Sequence, residues 1–196
     1  MTFVQWEFLV FFAVVFTVYW AIPRRAWQNV FLVMVSAVFY GWVHPWFLIL
    51  LYVSALVDYF GALAMARFPT RKGLVLAASL SANLGLLGYY KYFDFFVVNV
   101  SAALDALGVH HSLGPLGILL PPGISFYTFQ SMAYSIDVYR GELKPRRNIL
   151  NYTLAVSLFP HLVAGPVQRA SNLLLQAELP GRFNLQMVRS GFALAM

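Results

Sequence analysis

The residues that could do chemistry here are few and widely spaced. Asp58 and Asn83 each stand alone in a long apolar run. An ionisable group inside such a run costs about 2.5–3.5 kcal/mol on membrane-insertion scales, so it needs a partner or a role. Counted from the basic stretch between them, the two lie at similar depth on antiparallel segments, which predicts a buried Asp58–Asn83 hydrogen bond. A proton or substrate path through Asp58 is the functional alternative. His161 sits in Phe159-Pro-His-Leu162. It reads either as a neutral imidazole satisfied by backbone or as the wall of a polar passage. Ser125, Asp137 and His161 are the residue types of an acyl-transfer triad. However, Tyr127 stands where the nucleophile-elbow turn needs its second glycine, so no triad is expected. His110 and His111 are adjacent, point apart on most backbones and lack a third ligand nearby, so no zinc site is expected. With no cysteine, disulfides and Cys-based metal sites are excluded.

Composition then sets what must position these groups. Of 196 residues, 61% are apolar and 10% are charged. Soluble domains carry about 25% charged residues. The chain cannot cover itself with polar surface, so its excess apolar surface must face a lipid bilayer. The formal charge of +6 does not indicate nucleic acid, because the basic residues fall in short clusters between apolar runs, as the positive-inside rule produces.

The runs predict an all-α polytopic membrane protein forming a single membrane domain over 1–196. Spans are expected at about 4–22, 30–43, 46–66, 73–90 and 116–139. The first covers 19 residues, about 28 Å of helix, close to a hydrocarbon core of about 30 Å. Its basic pair, Arg24 and Arg25, follows the apolar run, unlike a cleavable signal. Residues 93–112, with Asp94, Asn99 and Asp105, read as an outside or interfacial segment. Residues 149–166, broken by Pro160, read as re-entrant, and a helix is expected to begin near 184. Lys91 and Asp94 are spaced for a local ion pair. Ala77, Ser81 and Gly85 make a small-residue stripe suited to close helix packing. The basic clusters at 23–29, 67–72 and 140–147 place those loops in the cytoplasm and the N-terminus outside, in a multi-pass inner (plasma) membrane protein.

Two longer blocks carry a resemblance. Leu120-Pro-Pro-Gly-Ile-Ser-Phe-Tyr-Thr-Phe-Gln130 followed by Tyr134-Ser-Ile-Asp-Val-Tyr-Arg-Gly141 resembles the hallmark of the membrane-bound O-acyltransferase family, nearest its alginate O-acetyltransferase branch. Phe159-Pro-His-Leu-Val-Ala-Gly-Pro-Val-Gln-Arg169 is similar to the same branch. Shorter matches lie at Ser36-Ala-Val-Phe-Tyr-Gly-Trp42, Val57-Asp-Tyr59 and Asn83–Phe93.

The resemblance implies a ring of tilted, broken helices around a central passage. An acyl group, acetyl in the alginate type, would pass from a cytoplasmic donor to an exported polysaccharide such as alginate, with a separate extracytoplasmic acyltransferase as partner. Acetyl-CoA or an acyl carrier is substrate rather than bound cofactor, and no metal is implied. Ser125, Gln130, Asp137 and His161 are the candidates to line the passage. Arg140, Arg146 and Arg147 are the candidates to meet the donor's phosphates, against a purely topological role. The family's catalytic histidine lies in a Trp-His-Gly-like block, and no such block occurs in this sequence. Together with the uncapped run Ser190–Met196, this reads as the N-terminal part of a longer enzyme, inactive alone. A transporter or channel fragment and a non-catalytic membrane scaffold are the alternatives.

Overall fold

The computed structural model describes residues 6–42, 44–164 and 170–178. Among them every regular element is helical. The order is α1 (Trp6–Ala21), α2 (Arg25–Gly41), α3 (Phe47–Arg67), a 3-10 turn at Pro69–Arg71, α4 (Lys72–Leu87), a π turn at Gly88–Tyr92, α5 (Phe93–Ala106), α6 (Ile124–Arg140), α7 (Ile149–Ser157), α8 (Phe159–Ala164) and α9 (Ala170–Glu178). The helix expected near 184 lies outside the described residues.

Among the described residues two stretches are long and apolar enough to cross a bilayer: Phe47–Arg67, with mean hydropathy 2.0, and the continuous column Pro69–Ala106, with mean hydropathy 1.3. The packing is inverted relative to a soluble domain. Large apolar side chains such as Leu9, Phe60, Leu74 and Phe96 are exposed, whereas Asp58, Asn83, Ser54, Thr128 and Ser135 are buried. In water such an arrangement would expose too much apolar area. Against lipid or further helices it is stable, because the polar groups find one another inside.

The interior has two centres. α3, α4 and α6 pack together around Tyr59, Ala62, Leu87 and Tyr134, while α2 lies on α7 and α7 on α9. Phe11 of α1 meets Phe39 of α2 and Phe159 of α8 with ring centroids 5.6 and 5.5 Å away. α2 begins at Arg25, earlier than the apolar run suggests. Gln28 makes the tight turn possible by donating to the Ile22 carbonyl at 2.9 Å, satisfying an end group of α1.

Several expectations are corrected. Residues 116–120 do not extend the span through 139: they carry no regular structure, and α6 starts at Ile124, after Pro121-Pro122-Gly123. Residues 93–106, expected outside or at the interface, are helical and continue the preceding helix through the π turn, a point that leaves that placement open. That column of 38 residues would rise about 57 Å, well beyond a hydrocarbon core of about 30 Å. Lys91 and Asp94 do not pair. Lys91 Nζ donates to Ser125 Oγ at 3.0 Å, and the Asp94 carboxylate accepts the Leu116 and Ile118 amides at 2.9 Å each, pinning the chain that returns toward α6. The stripe Ala77–Ser81–Gly85 is exposed, and Ser79, Asn83 and Leu87 form the buried face of α4 instead. The cause is polar: Asp58 and Ser135 on the neighbouring helices turn that face inward.

Candidate functional site

α2 holds two broken segments in place. Asn29, Ser36 and Tyr40 are spaced by seven and four residues, which sets them on one face of the helix. Tyr40 Oη donates to the Pro122 carbonyl at 2.8 Å. Ser36 Oγ accepts the Phe159 amide at 3.1 Å. Asn29 Nδ2 donates to Asn151 Oδ1 and to the Ala177 carbonyl, each at 2.9 Å. The bonds to Pro122, Phe159 and Ala177 satisfy backbone groups at breaks or helix ends, a requirement for irregular backbone at membrane depth.

The two broken segments also touch each other. Gly123 has φ +75, and a Cβ there would lie 2.5 Å from the Leu162 carbonyl oxygen. Only glycine accepts both the left-handed backbone and that approach. The Pro-Pro-Gly and Phe-Pro-His blocks therefore meet backbone to backbone. Tyr40→Phe is expected to lower stability by about 1 kcal/mol through loss of one buried bond. Thermal unfolding in detergent measures it, and an unchanged midpoint would show that the bond contributes nothing.

Asp58 centres the α3–α4–α6 bundle. Its Oδ1 accepts the hydroxyls of Ser79 at 2.5 Å and Ser135 at 2.7 Å, and its Oδ2 accepts Asn83 Nδ2 at 2.7 Å. Asn83 Oδ1 in turn accepts Ser54 Oγ at 2.5 Å. All five side chains are at least 96% buried. Both carboxylate oxygens are bonded by neutral donors, one from the pair expected by depth and two from serines. Ser54, Ser79 and Ser135 are functional neighbours that sequence reading missed. Their signal was faint but present: Ser54 is one turn from Asp58, and Ser79 is one turn from Asn83.

Of the passage candidates, Ser125 begins α6 beside Lys91. Gln130 is buried and donates to the Ala155 carbonyl at 2.9 Å, while its Oε1 has no partner among the described residues, as is also true of Thr128 Oγ1. Asp137 is partly buried near the other end of α6, where its carbonyl accepts the Glu142 amide at 3.0 Å. Ser125 and Asp137 thus stand twelve residues apart on one helix, about 18 Å in rise, which leaves no triad between them. The side chain of His161 lies outside the described residues.

The three arginines differ in setting. Arg140 is exposed and 3.9 Å from Glu142. Arg146 pairs with Glu178 of α9 at 3.3 Å. Arg147 is exposed, with its carbonyl accepting Tyr59 Oη at 2.6 Å, and the Arg146 amide donates to Tyr134 Oη at 2.9 Å. Two buried tyrosines therefore fix the basic loop, which sequence patterning did not reveal. Among the described residues no group of three or more His, Cys, Asp or Glu gathers to hold a metal.

An inverted helical bundle with a satisfied carboxylate at its centre and pinned backbone breaks is the interior of a membrane protein. The chain is a homologue of alginate O-acetylases of the membrane-bound O-acyltransferase kind. It is 35% identical over 171 residues to the probable alginate O-acetylase AlgI of Pseudomonas syringae pv. tomato, covering 85% of this chain and 32% of that protein. It is 35% identical over 174 residues to the protein of the same name from Pseudomonas aeruginosa, covering 86% and 33%. It is 31% identical over 174 residues to the peptidoglycan O-acetyltransferase of Helicobacter pylori, covering 76% and 32%. The chain spans about a third of the length of these curated relatives. No family model matches it, and no solved structure matches it.

Proposed function

We propose that this chain forms part of a multi-pass inner-membrane O-acyltransferase. It helps to pass an acetyl group from a cytoplasmic donor, acetyl-CoA or an acyl carrier, to an exported polysaccharide such as alginate. A separate extracytoplasmic transferase completes the reaction. The observation that carries this reading is the similarity over 85% of the chain to proteins named alginate O-acetylase. The geometry adds a physical rationale. A thioester and a sugar hydroxyl lie in different compartments, and a narrow polar neck lets the acyl group cross without its bulky carrier. Broken helices can build such a neck. The unpartnered Gln130 Oε1 on α6 is a group that water in such a neck would satisfy. Asp137, seven residues on, shares that face of α6, and Ser125 and His161 are the further candidates for the lining. Arg140 and Arg147 are the freer of the three donor-side cations, because Arg146 is engaged by Glu178.

The 196 residues alone hold no Trp-His-Gly-like block, so they supply walls and donor contacts but no base for the acceptor. The test is a chimera in which this chain replaces the matching segment of the Pseudomonas syringae protein. Membranes bearing the chimera are expected to acetylate alginate from labelled acetyl-CoA, whereas membranes bearing the isolated chain are not. Neutralising Arg140 and Arg147 in the chimera is expected to raise the donor KM about tenfold, the equivalent of about 1.4 kcal/mol. A chimera that inserts correctly and transfers nothing, or an active isolated chain, would overturn the assignment.

A further inference from the structure

A track beside the first two helices has the shape and polarity of a bound lipid. Arg25, the first residue of α2, donates to the Tyr19 hydroxyl, to Gln28 Oε1 at 3.3 Å and to the Gln176 carbonyl. All three acceptors are neutral. Among the described residues no carboxylate forms an ion pair with Arg25, and Glu178 on α9 is engaged by Arg146. The Nε–H of Arg25 is buried and unpartnered. Arg25 as a whole is partly exposed, so its charge keeps some contact with the surroundings, yet it faces no counter-charge among the described residues.

Beside it opens a cavity of about 150 Å³, with Tyr19, Arg25 and Gln176 as its polar lining and Leu32, Leu154 and Leu158 among its apolar lining. A second cavity of about 160 Å³ shares Tyr19, Leu32 and Leu158 with the first and adds Phe12, Phe16 and Phe159. The shared residues make the two cavities neighbours along α1, and a chain passing Leu32 and Leu158 would make them one track. From Tyr19 to Phe12 it follows α1 for seven residues, about 10 Å of helix rise. Polarity falls along it, from the guanidinium to an all-apolar end. The space is long and largely apolar, which suits a segment of acyl chain rather than a hydrated ion.

We infer that this track binds an anionic phospholipid, with its phosphate on Arg25 and one acyl chain running past Leu32 and Leu158 to Phe12. Guanidinium suits phosphate geometry, and basic pockets between membrane helices select anionic head groups. Inorganic phosphate would leave the apolar length unfilled. A zwitterionic head group would bring a cation to a site already positive. The inference goes beyond the transfer reaction and does not rest on it.

Native mass spectrometry of the chain in uncharged detergent, with phosphatidylglycerol and phosphatidylcholine added in equal amounts, tests it. Phosphatidylglycerol is expected to be retained at least tenfold better, and inorganic phosphate is expected to compete poorly. Arg25→Gln should abolish the preference and Arg25→Lys should keep part of it. Leu158→Trp, which leaves Arg25 intact and fills the waist, should reduce retention of either lipid. Equal retention of the two lipids, full competition by inorganic phosphate, or an unchanged preference in Arg25→Gln would each overturn it.

Discussion

Asp58→Leu is expected to destabilise the chain by about 3 kcal/mol or more, since it strands three buried donors at about 1–3 kcal/mol each. Those donors are the Ser79 and Ser135 hydroxyls and the Asn83 amide, which all converge on one carboxylate at the crossing of α3, α4 and α6. Ser135→Ala removes a single arm and should cost only about 0.6–1.7 kcal/mol, the range seen for polar contacts between membrane helices. Asp58→Asn should be mild. One amide oxygen can still accept both serines, and Asn83 can turn its own amide over, donating to Ser54 and accepting from position 58. Reversible unfolding in mixed micelles ranks the three variants. If Asp58→Leu proved as stable as the parent, the polar cluster would contribute nothing to helix association. If Asp58→Asn folded normally in the chimera but lost acetyl transfer, the carboxylate would have a role in proton or substrate movement beyond packing.

Gly123→Ala is the second large effect. The new methyl would need to sit 2.5 Å from the Leu162 carbonyl oxygen on a backbone with φ +75. Left-handed backbone alone costs a non-glycine residue about 1–2 kcal/mol. Because the obstacle is backbone rather than a flexible side chain, about 3 kcal/mol in all is expected, within the range of strain at special backbone sites. Gly141→Ala is the internal control. Its φ is +80, but a Cβ there meets nothing within 4 Å. It closes α6 with ordinary C-terminal geometry and should cost only the conformational part, about 1–2 kcal/mol. Equal effects at the two glycines would show that contact between the Pro-Pro-Gly and Phe-Pro-His blocks is unimportant. In the chimera, Gly123→Ala should also depress acetyl transfer more than Gly141→Ala, because it forces apart the two segments that Tyr40 and Ser36 hold.

Much of the architecture was legible in the sequence for simple reasons. Helices in an apolar medium satisfy their own backbone, so apolar run length reports helix length, as in α3. A lone Asp58 and a lone Asn83 must find each other because hydrocarbon offers nothing else. The pair Pro121-Pro122 and Gly123 mark where the backbone must break. Less visible were the elements whose geometry depends on distant partners. The π turn at Gly88–Tyr92 lets a polar segment continue as helix, and no local signal separates it from a helix end. Residues 116–120 are apolar enough to read as part of a span, yet Asp94 takes two of the amides in the segment that follows α5 and holds it out of helical geometry.

Composition, run length and charge placement therefore determined a helical membrane chain with its polar groups inside, because those properties follow from burial free energy summed residue by residue. Which polar groups meet was decided only by the packed structure. Ser135 reaching Asp58, Tyr40 reaching Pro122, Gly123 lying against Leu162 and Arg25 opening onto an apolar track all join residues far apart in sequence. Their partners are fixed by how the helices cross, a relation that no local spacing encodes.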